Sequence, residues 1–334
     1  MQRSVADRLS LFYWGILLLC LGAAIYFTGI FLSLIRLTFW MHDPQLRYWN
    51  SLVLWYSGLP ATLGVLLVAA DLFLLFPRKR SRIGRRQLLE AKTDLISQAT
   101  VVLTAYNDEL SIRQAVLDFL AHPRVARVIV VDNNSRDATA RIAAEAGAIV
   151  IVEQAPGYGR CVYRCLTEGS HYEDTDYVVL CEGDCTFRAE DIHKLFAFMS
   201  HADVINGTRI VEQLRDERTQ LTTFMFYGNF FVGKLLEMKH LGRGTFTDVG
   251  TTYKMIRQEV LPELLRRLDP RVNLEFNAHF MDTVLAMDLL MVECPVTFHP
   301  RVGVSKGGSV SNLRALSVGT RMMIGLTFGW RILT

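Results

Sequence analysis

Two long apolar stretches lie near the start of the chain. Residues 11–35 carry no charge, and residues 51–76 are interrupted only by Asp71. Each exceeds the roughly 20 apolar residues that a helix needs to cross about 30 Å of hydrocarbon, so the pattern predicts a transmembrane hairpin. The first stretch also outruns the about 7–15-residue apolar core of a cleavable signal peptide, and a second span follows it, so it reads as an anchor. Asp71 is expected to reach the membrane–water interface from the last turns of its helix. From about residue 98 the periodicity changes. Short apolar runs at 100–104, 128–131, 148–152 and 177–181 read as strands, and 110–120, 138–146 and 158–166 have helical spacing. Such alternation predicts an α/β domain with a parallel sheet covered on both faces, binding its ligand at the carboxyl ends of the strands. Later, 221–236 holds Phe224, Met225, Phe226, Tyr227, Phe230 and Phe231, and 313–333 holds Met322, Met323, Leu326, Phe328 and Trp330 beside Arg314, Arg321 and Arg331. Both read as amphipathic helices at a membrane interface, with ordinary core or an oligomer face as the alternative.

Charge gives the hairpin a direction. Arg78, Lys79, Arg80, Arg82, Arg85 and Arg86 follow the second span, whereas the connection between spans carries Arg36 and Arg47 with Asp43 as partial offset. Positive flanks stay cytoplasmic, which predicts an integral protein of the cell or inner membrane with both termini and everything after residue 86 in the cytoplasm. The basic stretch suits anionic headgroups, and the net charge of +3 owes much to it, so nucleic acid is not expected as a partner. At 334 residues and 51% hydrophobic content the chain can also bury a full α/β core. Six cysteines in a reducing compartment argue against disulfides. Cys161 and Cys165, like Cys181 and Cys185, are separated by three residues rather than the two of common zinc knuckles, so they read as small buried apolar residues.

The strand ends carry the chemistry. They read Thr104-Ala105-Tyr106-Asn107-Asp108-Glu109, then Asp132-Asn133-Asn134-Ser135-Arg136-Asp137, then Pro156-Gly157-Tyr158-Gly159-Arg160, then Glu182-Gly183-Asp184. Each alone is ordinary, since aspartate caps helices and glycine turns chains. All four at successive strand ends point to a nucleotide-sugar site. There the paired carboxylates of Glu182 and Asp184 can hold a hard divalent cation against a diphosphate. Val162 stands where a dinucleotide fingerprint needs a third small residue, which excludes an NAD domain.

Over about residues 98–310 these motifs resemble the large inverting glycosyltransferase family 2, with its GT-A fold. More narrowly, they resemble polyprenyl-phosphate glycosyltransferases, relatives of dolichyl-phosphate mannose synthase. The matching elements are Ala105-Tyr106-Asn107 with two acidic residues, Val130-Val131-Asp132, the glycine turn, Glu182-Gly183-Asp184 for the usual Asp-x-Asp, and Gly207-Thr208-Arg209. Asp248 begins an acceptor segment in which Thr251 and Thr252 replace the usual serine and glycine, and residues 295–306 resemble the family's Arg and Ser-Lys ending. The organisation implied is a hairpin over 1–86, a GT-A domain over 87–310 and a membrane-interface segment over 311–334.

The resemblance also implies roles. Tyr106, Asp108 or Glu109, and Asp132 hold the nucleoside, with Thr104, Asn134, Gly157, Gly159, Arg160, Glu182 and Gly183 completing the nucleotide-sugar site. Asp184 ligates Mg²⁺ or Mn²⁺, with Glu182 direct or through water. Arg209, Arg301 and Lys306 clamp an acceptor phosphate, and Asp248 orients acceptor or sugar. The implied activity is a membrane-bound, metal-dependent hexosyltransferase that moves a sugar from a UDP- or GDP-linked donor to polyprenyl phosphate, in cell-envelope glycan assembly. A phosphate acceptor, with a second pKa of about 6, needs no strong base. Two other readings stay open: transfer to a glycerolipid or sphingolipid hydroxyl, which makes Asp248 an indispensable base, and a non-catalytic sugar-nucleotide sensor or scaffold. Donor base, sugar and any homo-oligomeric state are not legible.

Overall fold

The structure is a computed structural model that describes residues 10–39, 43–76, 97–303 and 311–334. The basic cluster after the second apolar stretch, Arg3, Arg8 and Lys306 lie outside the described residues. The chain divides into two compact units, Met1–Gln87 with Met238–Gly242, and Leu88–Glu237 with Arg243–Thr334.

In the first unit, α1 (Leu11–Thr38) is followed by α2 (Pro44–Tyr56) and α3 (Gly58–Ala70), which continues through one π turn, Asp71–Leu75. Leu11–Thr38 and Pro44–Leu75 are both long and apolar enough to cross a membrane. The second begins earlier than its apolar run, because Asp43 accepts a hydrogen bond from the Gln45 amide at 2.8 Å and Pro44 occupies the first helical position. Small residues let α1 and α3 approach. A Cβ at Gly22 would lie 2.9 Å from the Ser57 carbonyl oxygen, and one at Gly15 would lie 2.8 Å from that of Gly64. Close backbone contact of this kind lets the two helices pack through many van der Waals contacts. Asp71 does not reach for an interface. It is fully buried and accepts the Phe12 amide at 2.8 Å, which satisfies one of the unpaired donors in the first turn of α1.

The second unit is built on one sheet of seven strands: β1 (Ala99–Ala105), β2 (Val125–Asp132), β3 (Ile149–Val152), β4 (Tyr177–Glu182), β5 (Val204–Thr208), β6 (Lys254–Arg257) and β7 (Met291–Pro295), in the order β3-β2-β1-β4-β6-β5-β7. Every residue of β1 is buried, and each of its valine and leucine side chains contributes roughly 1.5–3 kcal/mol of transfer free energy. The first four strands are parallel, as the alternation predicts. The sheet as a whole is mixed, because β6 runs antiparallel to both β4 and β5. Leu180 of β4 pairs with Lys254 of β6, so the residues just before β6 arrive beside the carboxyl end of β4. No strand-and-helix count from sequence would place Thr251 and Thr252 there.

Helices α4 (Ile112–Leu120), α5 (Thr139–Glu145), α6 (Tyr158–Ser170), α7 (Ile192–Met199), α8 (Thr223–Lys239), α9 (Leu261–Arg267), α10 (Phe276–Ala286) and α11 (Asn312–Phe328) are the α-helices described in this unit. Ten successive residues of α10, Phe276 to Leu285, are buried, as expected of a helix enclosed by protein. The C-terminal α11 is tied to it. Arg321 Nε donates to Glu275 Oε1 at 2.6 Å, and Trp330 Nε1 donates to Asp282 Oδ2 at 2.7 Å.

Candidate active site

A cavity of about 690 Å³ opens at the carboxyl ends of the central strands. Thr104, Tyr106, Asp108, Asn134, Gly157, Glu182, Asp184, Arg209 and Arg301 line it, gathered from segments almost 200 residues apart. Part of the wall is apolar: Leu221, Phe224, Met225 and Val232 at α8, with Ala315, Val318 and Met322 of α11.

Glu182 and Asp184 sit at the end of β4. Asp184 is buried; its Oδ1 accepts the Thr186 amide at 3.0 Å and the Thr186 hydroxyl at 2.6 Å, and its Oδ2 pairs with Arg301 Nη1 at 3.0 Å. Glu182 Oε1 accepts the Thr252 hydroxyl at 2.7 Å. Burial first, then the neighbouring charge of Asp184, push the Glu182 carboxyl up to about 7. Two carboxylates that repel each other are relieved by a shared cation. Among the described residues, no group of three or more His, Cys, Asp or Glu side chains is assembled for a metal. The pair therefore suits an ion such as Mg²⁺ or Mn²⁺, which takes one or two carboxylates and completes its shell with water and substrate phosphate. Arg301 also reaches Asp108, whose Oδ1 lies 3.1 Å from Nη2 and whose Oδ2 accepts the Tyr106 amide at 2.9 Å.

Asp248 forms a second, separate ion pair. It is buried and receives Arg209 Nε at 2.7 Å, Arg209 Nη2 at 2.7 Å, the Arg209 amide at 3.0 Å and the Gly250 amide at 3.1 Å. Burial alone would raise its pKa, but the charge and hydrogen bonds of Arg209 overcome that and hold it below the usual carboxylate range. Asp248 does not line the cavity; Arg209 does. Glu293 of β7 supports the segment by accepting the amides of Thr247 and Asp248 at 2.9 and 3.1 Å.

Several residues expected at the site stand behind it. Asp132 accepts the Ser135 amide at 3.1 Å and the Ser135 hydroxyl, so it shapes the loop that presents Asn134 at φ +59. Glu109 is exposed and accepts the Ala138 amide at 3.1 Å. Arg160 is exposed and outside the cavity wall. Gly183 lies under the strand end, where a Cβ would come 2.6 Å from Ile112 Cδ1. Gly159 meets an even closer neighbour, since its Cβ would fall 1.7 Å from the Val272 carbonyl oxygen. Gly159→Ala is expected to cost about 1–3 kcal/mol of stability by overpacking α6 against that loop. Thermal unfolding unchanged by this substitution would contradict the packing role.

Sequence reading missed Asn273 and Asn277. Asn273 Oδ1 accepts the Tyr158 amide at 2.7 Å, and Asn277 Nδ2 donates to the Tyr158 hydroxyl at 2.9 Å. Burial, with Glu182 next, pushes that phenol far above its ordinary pKa, so Tyr158 is a neutral donor beside the acidic pair. Asn273 stands in the loop before α10 and Asn277 in its first turn, so no helical spacing links them and the sequence carried no signal for the pair.

Behind Thr251 lies a buried lysine. Lys254 Nζ donates to Asn206 Oδ1 and the Thr251 carbonyl, both at 2.6 Å, and burial lowers its pKa from 10.5 to about 7. Between those values the unfolded chain binds a proton that the folded one does not. Stability from this group therefore rises with pH through the window, and its destabilising effect is complete below about 7. The unfolding temperature is expected to climb between pH 7 and 9, and Lys254→Met should flatten the climb. An undiminished climb in Lys254→Met would assign it elsewhere.

The sequence profile of Glycosyl transferase family 2 matches residues 100–265. Protein RfbJ of Shigella flexneri is 30% identical over 111 residues, which cover 33% of this chain and 83% of that protein. The chain belongs to glycosyl transferase family 2. A low-salt glycan biosynthesis hexosyltransferase of Haloferax volcanii is 28% identical over 236 residues, 66% of this chain and 52% of that protein. The chain thus spans about half the length of that relative. The fold is also that of glucosyl-3-phosphoglycerate synthase from Mycobacterium tuberculosis, solved with Mn²⁺, uridine diphosphate and phosphoglyceric acid. The TM-score is 0.50 at 16% identity, covering 70% of this chain and 79% of the synthase. Seven strands in this order make a mixed sheet of the GT-A type.

Proposed function

We propose that this family 2 protein is a membrane-bound inverting hexosyltransferase that moves a sugar from a nucleotide sugar to a polyprenyl phosphate. The observation that carries the reading is the dual character of the cavity wall, in which the acidic pair and two arginines adjoin the apolar side chains of α8 and α11. A nucleotide sugar uses the first part; an isoprenoid chain uses the second. In the proposed displacement, an acceptor phosphate oxygen attacks the anomeric carbon from the face opposite the nucleoside diphosphate. The carbon–oxygen bond to the diphosphate breaks with its electron pair, and inversion follows. Arg209 and Arg301 supply charge-assisted donors for phosphate oxygens, and Tyr158 and Thr252 fix the Glu182 side of the pocket. Bound at Glu182 and Asp184, Mg²⁺ or Mn²⁺ would neutralise charge on the departing diphosphate.

The state of Asp248 favours a phosphate over a lipid hydroxyl. With both oxygens engaged by Arg209 and its pKa lowered, Asp248 is a poor proton acceptor, and a phosphate acceptor asks for none. The two apolar helices support membrane attachment, and the basic residues that follow them favour a cytoplasmic catalytic unit. The test uses the full chain in detergent with Mg²⁺ or Mn²⁺, polyprenyl phosphate and a panel of labelled nucleotide sugars. Label that enters the organic phase only with both metal and phosphate is expected. Label that appears instead with a dephosphorylated lipid alcohol would move the assignment to a hydroxyl acceptor, and tight nucleotide binding without any label would mark a sensor.

A further inference from the structure

Asp184 has two oxygens and only one of them faces a charged partner. Oδ1 is committed to the amide and hydroxyl of Thr186, so Oδ2 is the oxygen open to a cation, and Arg301 Nη1 covers it at 3.0 Å. The same guanidinium is braced from the other side by Asp108 Oδ1 at 3.1 Å. Its backbone cannot follow a moving side chain far, because the Val302 amide donates to the Asp184 carbonyl at 3.2 Å. Arg301 Nε is buried and finds no hydrogen-bond partner among the described residues. A buried donor left unpaired is costly, so the resting arrangement leaves the arginine short of one acceptor.

We infer that Arg301 is an internal counter-ion whose place on Asp184 a divalent cation takes, so that seating the cation and releasing the guanidinium toward the cavity are one event. The inference rests on the reading of Glu182 and Asp184 as the cation site. A guanidinium and a divalent ion compete for the same oxygen and repel each other at contact distance. Once displaced, the side chain turns about a fixed backbone, and the phosphate oxygens of a substrate give Nε and Nη1 the acceptors they lack. Binding of cation and of phosphate-bearing ligand then become linked, each favouring the other.

The test needs no turnover. Mn²⁺ is titrated into the full chain in detergent and free Mn²⁺ is followed by electron paramagnetic resonance. Removing the competing charge in Arg301→Gln is expected to tighten Mn²⁺ binding by about tenfold, and Arg301→Lys, which keeps the charge, to stay within about threefold of the unsubstituted protein. Unchanged or weaker binding in a folded Arg301→Gln overturns the exchange. Absence of Mn²⁺ binding in the unsubstituted protein overturns the cation site itself, and the exchange with it. Should Arg301→Gln fail to fold, an experimental structure of the unsubstituted protein with Mn²⁺ and a nucleoside diphosphate decides. Nη1 beyond hydrogen-bond reach of Asp184 Oδ2 supports the exchange, and an intact pair beside a seated ion refutes it.

Discussion

Asp184→Asn is expected to slow sugar transfer by on the order of a thousandfold, about 4 kcal/mol of lost transition-state stabilisation, while the protein stays folded. Asparagine retains an oxygen for Thr186, so the turn after β4 keeps its hydrogen bonds. What it loses is one of two negative charges. Glu182 is then freed from the repulsion that contributes to its raised pKa, and Arg301 keeps Asp108 as its partner. A single carboxylate holds a divalent ion far less well than a pair. Rate measured at saturating donor, together with the unfolding temperature, separates the two effects. Transfer at the unsubstituted rate would remove the metal from the proposed chemistry.

Asp248→Asn is expected to act through the fold. Arg209 has a side chain only 12% exposed and Asp248 one 3% exposed, and breaking a buried pair by removing one partner leaves a charge without compensation. The expected loss is about 3–5 kcal/mol of stability. Arg209→Gln should cost a similar amount, and the double variant less than the sum, because the two changes share one interaction. The chemistry gives a second readout. If the acceptor is a phosphate, the acid limb of the rate profile follows an acceptor pKa of about 6, and Asp248→Asn leaves that limb where it was. A limb that vanishes with Asp248→Asn would instead make the aspartate the base for a hydroxyl acceptor.

The fold was legible because burial in a parallel sheet leaves a strong pattern. Residues 100–104 and 128–131 are uncharged runs rich in β-branched residues, since both faces of β1 and β2 are covered there. The antiparallel β6 was not legible: its four residues, Lys254–Arg257, include a lysine and an arginine, and Lys254 is tolerated in the core only through Asn206 and the Thr251 carbonyl. Asp71 misled for a related reason. Its partner, the Phe12 amide, lies 59 positions away, and a rule for a lone carboxylate in an apolar helix cannot know of it.

Local chemistry needs only neighbours in the chain, so the sequence by itself determined the two long apolar helices, the alternation of strands and helices, and the acidic pair at the end of β4. Tertiary structure alone decided which motif residues face the cavity and which brace it. Asp132 and Glu109 turn their carboxylates to backbone amides of one loop, whereas Arg301, 193 positions beyond Asp108, joins Asp108 to Asp184. It also decided that Asp248 is paired with Arg209 in the protein interior. The reason is physical: the partner that satisfies a buried charge is chosen by distance in space and by desolvation, and neither is written in the spacing of residues along the chain.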